Sequence, residues 1–262
     1  MTAGDSVRAA IGARRVLLRV RRGYSVLLVL AAWEWASRAE VVNAFLLPPA
    51  SEVLVNLWRL ATEGRLLFHL SESLLRVAAG LGLAVAVGIP LGLWKARSRL
   101  ADAVLDPFMA FWFPVPKVGL IPLALLAFGF AHGSKIALVF ADALLPLVIA
   151  TYHGALHTYR RLIWSARTMG DSESRILWRV VLPAALPQIF TGVRLAVTVS
   201  LLVVFLAEMV ASGTGLGHMM IYALRTLETR DVFSALVTIS LIAFLADWLV
   251  ILARRRVLVW HA

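Results

Sequence analysis

WSARTMGDSESRILWRVVLPAALP, residues Trp164 to Pro187, is the one long polar and basic interval in a chain that is otherwise mostly apolar. With Arg160 and Arg161 just ahead of it, the interval sets Arg167, Arg175 and Arg179 between two apolar runs, 136–152 and 187–211. Its local signals predict two short helices. Trp164 to Met169 reads as helical, and Gly170 as its stop, because glycine takes the left-handed conformation that closes a helix. Asp171 or Ser172 can cap the next helix, whose apolar face is Ile176, Leu177, Val180 and Val181. Pro183 and Pro187 are then expected to turn the chain back toward the next apolar run. Two short helices at an angle, presented in water by an otherwise buried protein, make a knob, and a knob needs a socket.

The chain around this interval has 262 residues, 61% of them hydrophobic and 16% charged. That is too little polar surface to cover a soluble globule of this size, so the class is a polytopic membrane protein. A net charge of +11 raises the possibility of a nucleic-acid partner, but the basic residues lie between apolar runs and form no stripe, which argues against one. The absence of cysteine removes thiol catalysis, disulfides and cysteine-ligated metals together. Arg8, Arg14, Arg15, Arg19, Arg21 and Arg22 precede an apolar run in the manner of a signal peptide. No small-residue cleavage site follows, and Trp33, Glu34 and Trp35 have the character of an interfacial end, so the run reads as an uncleaved first span.

A bilayer core of roughly 30 Å needs about 20 apolar helical residues, and fewer where long side chains snorkel. Six stretches qualify, at about 23–38, 71–94, 101–130, 136–152, 187–211 and 232–253, which makes the fold all-α. Between the first two, LLPPASEV (Leu46 to Val53) stops a helix with its prolines. Ser51 is placed to cap a surface helix with Val53, Leu54, Leu57, Leu60 and Ala61 on one face. In the second span, Gly80, Gly82, Gly88 and Gly92 permit a neighbouring helix to come close. The third contains Pro107, Pro114, Pro116 and Pro122 and cannot be straight; its freed carbonyls must be buried or wetted, so a pathway wall is expected there. With the N-terminus inside, 17 of the 26 lysines and arginines fall on the inner side, which predicts cytoplasmic termini and a cytoplasmic 154–186 loop. Residues 1–22 are then a basic cytoplasmic tail to a single 1–262 transmembrane domain.

Several chemistries are excluded. Phosphate binding by a Gly-Lys-Ser/Thr loop is impossible, because the only lysines are Lys95, Lys117 and Lys135, followed by Ala96, Val118 and Ile136. There is no His-Glu-x-x-His helix and no Gly-x-Ser-x-Gly elbow. His153 and His157 have the i, i+4 spacing of a metal pair, but no carboxylate or third histidine lies near them in sequence, and the residues read as a helix end at the membrane interface. No cofactor and no metal are expected.

Trp164, Ser165 and Ala166, then Gly170, then Val180, Leu182 and Pro183 stand at the spacing of a motif: Glu-Ala-Ala, three residues, glycine, nine residues, an aliphatic, one residue, Leu-Pro. The loop resembles the cytoplasmic coupling loop of ABC importer permeases. LLPPASEV, LLRVAAGLGLAVAVGIPLGL, RVVLPAALPQIFTGVRLAV, AEMVASGTGLG and the terminal RRR are similar, in order and spacing, to the sulfonate, taurine and nitrate permeases of the type I importer kind. That resemblance covers the chain from about Gly23 onward. It implies an inner-membrane homodimer carrying two cytoplasmic ATP-binding subunits, which hydrolyse ATP, and supplied with solute by a periplasmic or lipid-anchored binding protein. The motif's glutamate is missing: Trp164 stands in its place and Ser165 replaces an alanine, which exchanges a charged contact for an apolar one.

Ionisable groups at membrane depth cost several kcal/mol unless paired or wetted, so each is a functional candidate. Arg76 either pairs with Glu72 one turn before it or serves the pathway. Lys117, in the broken span, either attracts an anionic solute or pairs with Asp142. Arg194 is expected to snorkel inward and Asp247 to pair with the final arginines. Glu208 either holds a gate by hydrogen bonding to the GTGLG loop or caps the interface. Two readings compete with the importer permease: a secondary transporter driven by protons through Asp142, Glu208 or Asp247, and an intramembrane enzyme using His153 and His157.

Overall fold

A computed structural model describes residues 24, 26–158 and 160–258. The N-terminal arginines Arg8 to Arg22 and the start of the first span lie outside these residues. Helix α1 (26–38) is stapled at its end to the proline turn. Trp33 Nε1 donates to the carbonyl of Pro48 at 3.0 Å and Ser37 Oγ to that of Leu47 at 2.6 Å. Helix α2 (Ala50–Thr62) begins after Pro49, and Ser51 does not cap it. The carboxylate of Glu34 on α1 takes that part instead, accepting the Ser51 N–H at 3.0 Å and its hydroxyl at 2.8 Å. An anion at a helix N-terminus satisfies free N–H groups and opposes the dipole. Val53, Asn56 and Leu60 bury against the bundle, while Leu54, expected on that face, is exposed with Val55 and Trp58.

Helix α3 (Arg65–Arg97) has 33 residues, about 50 Å at 1.5 Å per residue. It packs along α6 (His132–Leu156), and three glycines, Gly80, Gly88 and Gly92, permit the contact. A Cβ on Gly80 would stand 2.5 Å from Val139 Cγ1, and one on Gly92 2.6 Å from Thr151 Cβ, whereas Gly82 faces open space. Helix α6 in turn packs along α9 (Leu182–Ala211), and these three helices form the centre of the molecule. Helix α6 starts four residues before the expected 136, because Gly129, at φ +75°, completes the preceding turn and leaves His132 free to begin a helix.

The proline-rich third span is broken as expected. Helix α4 (Arg99–Trp112) ends, a 3-10 turn covers Lys117–Leu120, and α5 (Ile121–Phe128) leaves at 86° to the first half. After α7 (Arg160–Thr168) come the short α8 (Glu173–Ile176), a π-helical turn over Leu177–Val181, and α9. These last three run without interruption as one 39-residue segment, Glu173–Ala211. Pro183 and Pro187 therefore do not turn the chain. Pro183 follows directly on the π turn, whose wider backbone relieves the carbonyl its ring would strike and lets the helix continue without its N–H. Helices α10 (Leu216–Arg225) and α11 (Thr229–Val257) complete the order.

Helices α3, α6, the Glu173–Ala211 run and α11 are each long and apolar enough to span a membrane, and the bent α4–α5 pair passes the same test when its two halves are taken as one broken span. Helix α1 covers the described part of the stretch expected as the first span, and among the described residues four or five of the six expected spans are found. Across α9 and α11, Arg194 Nη2 donates to Asp247 at 2.9 Å, with Nε on the other carboxylate oxygen. Neither snorkelling of Arg194 nor pairing of Asp247 with the final arginines occurs, because a bidentate guanidinium–carboxylate pair between facing helices neutralises both charges where they stand.

Candidate functional site

Functional side chains gather at the two ends of the central helices. At one end, α7 closes by a glycine stop. The N–H of Gly170 bonds the carbonyl of Arg167 at 3.0 Å, and the N–H of Asp171 reaches back to that of Ala166 at 3.1 Å. This is the paired closure of a Schellman turn, and Gly170 holds the left-handed position in it, at φ +83°. Ser172 then caps α8, its hydroxyl accepting the Arg175 N–H at 3.4 Å. Of the motif residues, Ala166 is buried among Leu93, Ala155, Ile176, Val181 and Ala185, with Val180 and Leu182 packed on the same cluster. Glu173 takes Arg167 at 2.7 Å and also Arg97 at the end of α3, which ties the knob to the bundle. Trp164, 60% exposed, and Ser165 point outward, and Leu162, Met169 and Trp178 are exposed as well.

At the other end lies a buried polar latch. Arg76 on α3 and Glu208 on α9 are 2% and 0% exposed, and Arg76 Nη1 donates to Glu208 at 2.6 Å. Glu208 also accepts the Ser73 hydroxyl at 2.8 Å and the Gly217 N–H at 3.0 Å. Arg76 also donates to Glu72 at 3.0 Å, to the Thr214 carbonyl at 2.9 Å and hydroxyl at 2.5 Å, and through Nε to His132 Nδ1 at 3.3 Å. His69 Nδ1 accepts the N–H of Gly215 at 3.1 Å. The loop from Ser212 to Gly215 is thereby fastened to α3 and α9 together. Gly215 sits at φ +108° with its Cβ position 2.2 Å from Glu208 Cδ, so no side chain fits there. Arg76 pairs with Glu72, as its i, i+4 spacing allows, and with Glu208 as well, and Glu208 hydrogen-bonds the GTGLG loop through the N–H of Gly217. Ser73, Thr214 and His69 were missed: serine, threonine and histidine carry no distinctive spacing, and only helix packing brings them to the ion pair.

At the bend between α4 and α5, Lys117 is buried and donates to the carbonyls of Trp112 at 3.1 Å and Phe113 at 3.0 Å. Asp142 on α6 stands 3.9 Å away. The lysine thus clasps carbonyls that the prolines release from α4. Sequence reasoning also passed over Lys95, which is buried, bonds Asp102 and lies 3.0 Å from Asp106, joining α3 to α4. The i, i+4 spacing of the two aspartates was the available signal. The rings of His153 and His157 are stacked with centroids 6.3 Å apart, and no set of three or more His, Asp or Glu side chains gathers among the described residues.

A bundle of long apolar helices with one bent span, a basic knob at one end and a buried ion pair at the other defines a polytopic membrane transport subunit. Residues 88–259 match the family described as binding-protein-dependent transport system inner membrane component, and the chain belongs to that family. It is a permease subunit of an ABC importer, and the secondary-transporter and intramembrane-enzyme readings fall. The chain is 32% identical over 239 residues to the taurine transport system permease protein TauC of Escherichia coli (strain K12), covering 89% of this chain and 87% of that one. It is 33% identical over 248 residues to the putative aliphatic sulfonates transport permease protein SsuC of the same organism, covering 95% and 94%. The bicarbonate transport system permease protein CmpB of Synechococcus elongatus is 35% identical over 187 residues, 71% of this chain and 67% of that one. In fold the chain is similar to a chain of the MetNI methionine ABC transporter in an inward-facing conformation, with TM-score 0.63 at 18% identity, over 72% of this chain and 94% of that one.

Proposed function

We propose that this permease carries a small anionic solute of the sulfonate, taurine or nitrate kind into the cytoplasm by alternating access. It works as a homodimer with two copies of an ATP-binding subunit and a periplasmic or lipid-anchored binding protein, in a bacterial inner membrane with both termini cytoplasmic. The knob from Trp164 to Pro183 is the docking part for the ATP-binding subunit, and Arg76 with Glu208 is the latch of the outer gate. One observation carries this reading. The base of the knob and the latch residue Glu208 lie on a single uninterrupted helical run, Glu173–Ala211, 39 residues long. A displacement of the knob is transmitted along a rigid rod of about 58 Å to the loop that Glu208 holds. The Arg97–Glu173–Arg167 bridge makes the far end of α3, which carries Arg76, move with the same knob.

The solute class rests on the taurine and aliphatic sulfonates named for the relatives' transport systems. Lys117 is committed to two carbonyls, so its part is to hold the bend, with Asp142 as its counter-charge. The test is uptake of radiolabelled taurine into proteoliposomes holding the permease, its ATP-binding subunit and its binding protein. Gly170→Trp is expected to leave ATP hydrolysis running while uptake is lost. Normal uptake by that variant overturns the coupling assignment.

A further inference from the structure

At the end of the bundle opposite the knob, a cavity of about 710 Å³ opens between α2, the start of α3 and the start of α11. Arg65 and Arg97 are the two ends of α3, and Arg97 is at the knob, so the cavity and the knob are separated by the length of that helix. On the cavity floor, Asp231 is 5% exposed and fixed by Asn56, whose Nδ2 donates to it at 2.7 Å and to Ser234 at 3.1 Å. Two arginines flank this carboxylate, one at each oxygen. Arg59 Nη2 is 3.9 Å from Oδ1 and Arg65 Nη2 is 3.9 Å from Oδ2. Both distances are too long for hydrogen bonds.

Charge and donor accounting make this pair unusual. Two guanidiniums carry about ten N–H donors between them. Among the described residues one of these is used, from Arg59 to Asn56 Oδ1 at 2.7 Å, with Glu63 at 3.8 Å from Arg59 Nε. Two further acids line the cavity, Glu52, which is taken by Arg230 at 2.9 Å, and Glu228, and among the described residues neither forms an ion pair with Arg59 or Arg65. Asn56 thus orients both the buried carboxylate and one guanidinium, and Asp231 spaces the two arginines without saturating either. Planar guanidiniums held in this way, with free N–H edges beside a cavity, match an oxyanion that can accept from both. The neighbouring surface of α2 presents exposed Leu54, Val55 and Trp58, which suits the membrane interface.

From this geometry we infer that Arg59 and Arg65, set by Asp231 and Asn56, form a binding site for a tetrahedral oxyanion at the outer end of the permease. Its occupant is a sulfonate or phosphate group, arriving either on a free solute or on a lipid headgroup. The inference stands on the cavity alone and does not require the solute assignment above.

The full-length chain, purified in dodecyl maltoside, is titrated with ethanesulfonate by isothermal calorimetry, and its retention of phosphatidylglycerol is measured by native mass spectrometry. Binding of ethanesulfonate that weakens at least tenfold in Arg59→Gln/Arg65→Gln establishes the site with a free solute as its source. Retention of phosphatidylglycerol that is lost in the same variant establishes it with lipid as its source. Arg225→Gln, an exposed arginine outside the cavity, is expected to behave as the parent in both. Should the double variant fail to fold, Val55→Trp, which adds bulk at the cavity lining and leaves both arginines in the sequence, is expected to give the same losses. If neither probe binds, or if both bind the double and filling variants as they bind the parent, the site does not exist.

Discussion

Gly170 and Glu208 show two different ways in which a single residue is irreplaceable. Around Gly170 a Cβ would meet nothing within 4 Å, so its requirement comes only from the left-handed backbone that ends α7. Gly170→Ala is expected to cost about 1 kcal/mol locally and to fray the knob, and Gly170→Asn to cost less, since asparagine tolerates that conformation. Hydrogen exchange of the Asp171 amide, which depends on that closure, would rank the two variants against the parent. Glu208 is required for charge. Glu208→Ala leaves Arg76 buried with its chief partner gone, at a cost of about 3–5 kcal/mol. A thermal unfolding midpoint well below that of the parent is expected, and with it release of the 212–215 loop, read as faster proteolysis there. Removing both charges as Arg76→Met/Glu208→Leu is expected to recover much of the stability but not the uptake.

The element that organises the molecule is the Glu173–Ala211 run, and its continuity was hidden by its prolines. A Pro-x-x-x-Pro pattern ordinarily marks a boundary, yet here a π turn accommodates the first proline within a continuous helix. Inserting two glycines after Pro187 should keep both knob and latch folded while severing them mechanically. ATP hydrolysis by the assembled importer would then no longer respond to the loaded binding protein, and an unchanged response would rule out the rod. The opposite case is the α4–α5 pair, where four prolines were read as a break and the 86° bend is one. The difference is that Lys117 supplies donors to the freed carbonyls. Lys117→Met is therefore expected to destabilise the bend by about 2–4 kcal/mol, because two charge-assisted hydrogen bonds are lost. The helix-specific signature is increased hydrogen exchange at residues 113–120 and not in α6.

For the molecule as a whole, several charges in the long helices are answered by a neighbour from another helix. Arg76 meets Glu208, Arg194 meets Asp247, and Lys95 meets Asp106. These pairs tie α3 to α9, α9 to α11 and α3 to α4, so the polar minority in an apolar chain holds the helices in register. Between them runs the physical path proposed for coupling. The intact importer should accordingly lose uptake on damage at either end, at Gly170 or at Glu208, while the permease alone hydrolyses no ATP in any variant. A phosphate-release assay on the purified chain, with and without its ATP-binding subunit, checks the second point.

Composition and periodicity alone determined that this chain spans a membrane, where its apolar runs lie, that its third span must break, and that Gly170 ends a helix. Those are properties of short stretches, decided by transfer free energy and by backbone sterics within a few residues. The motif spacing further brought the permease family within reach. Pairings between distant residues were decided only by the tertiary structure. Whether Arg194 snorkels or binds Asp247, whether Pro183 turns the chain or enters a helix, and whether Ser51 or Glu34 serves the start of α2 all depend on what another helix places opposite. Local sequence cannot state that, because a side chain with several favourable partners is settled by packing, and in this fold the packing is set by where α3, α6 and α9 touch.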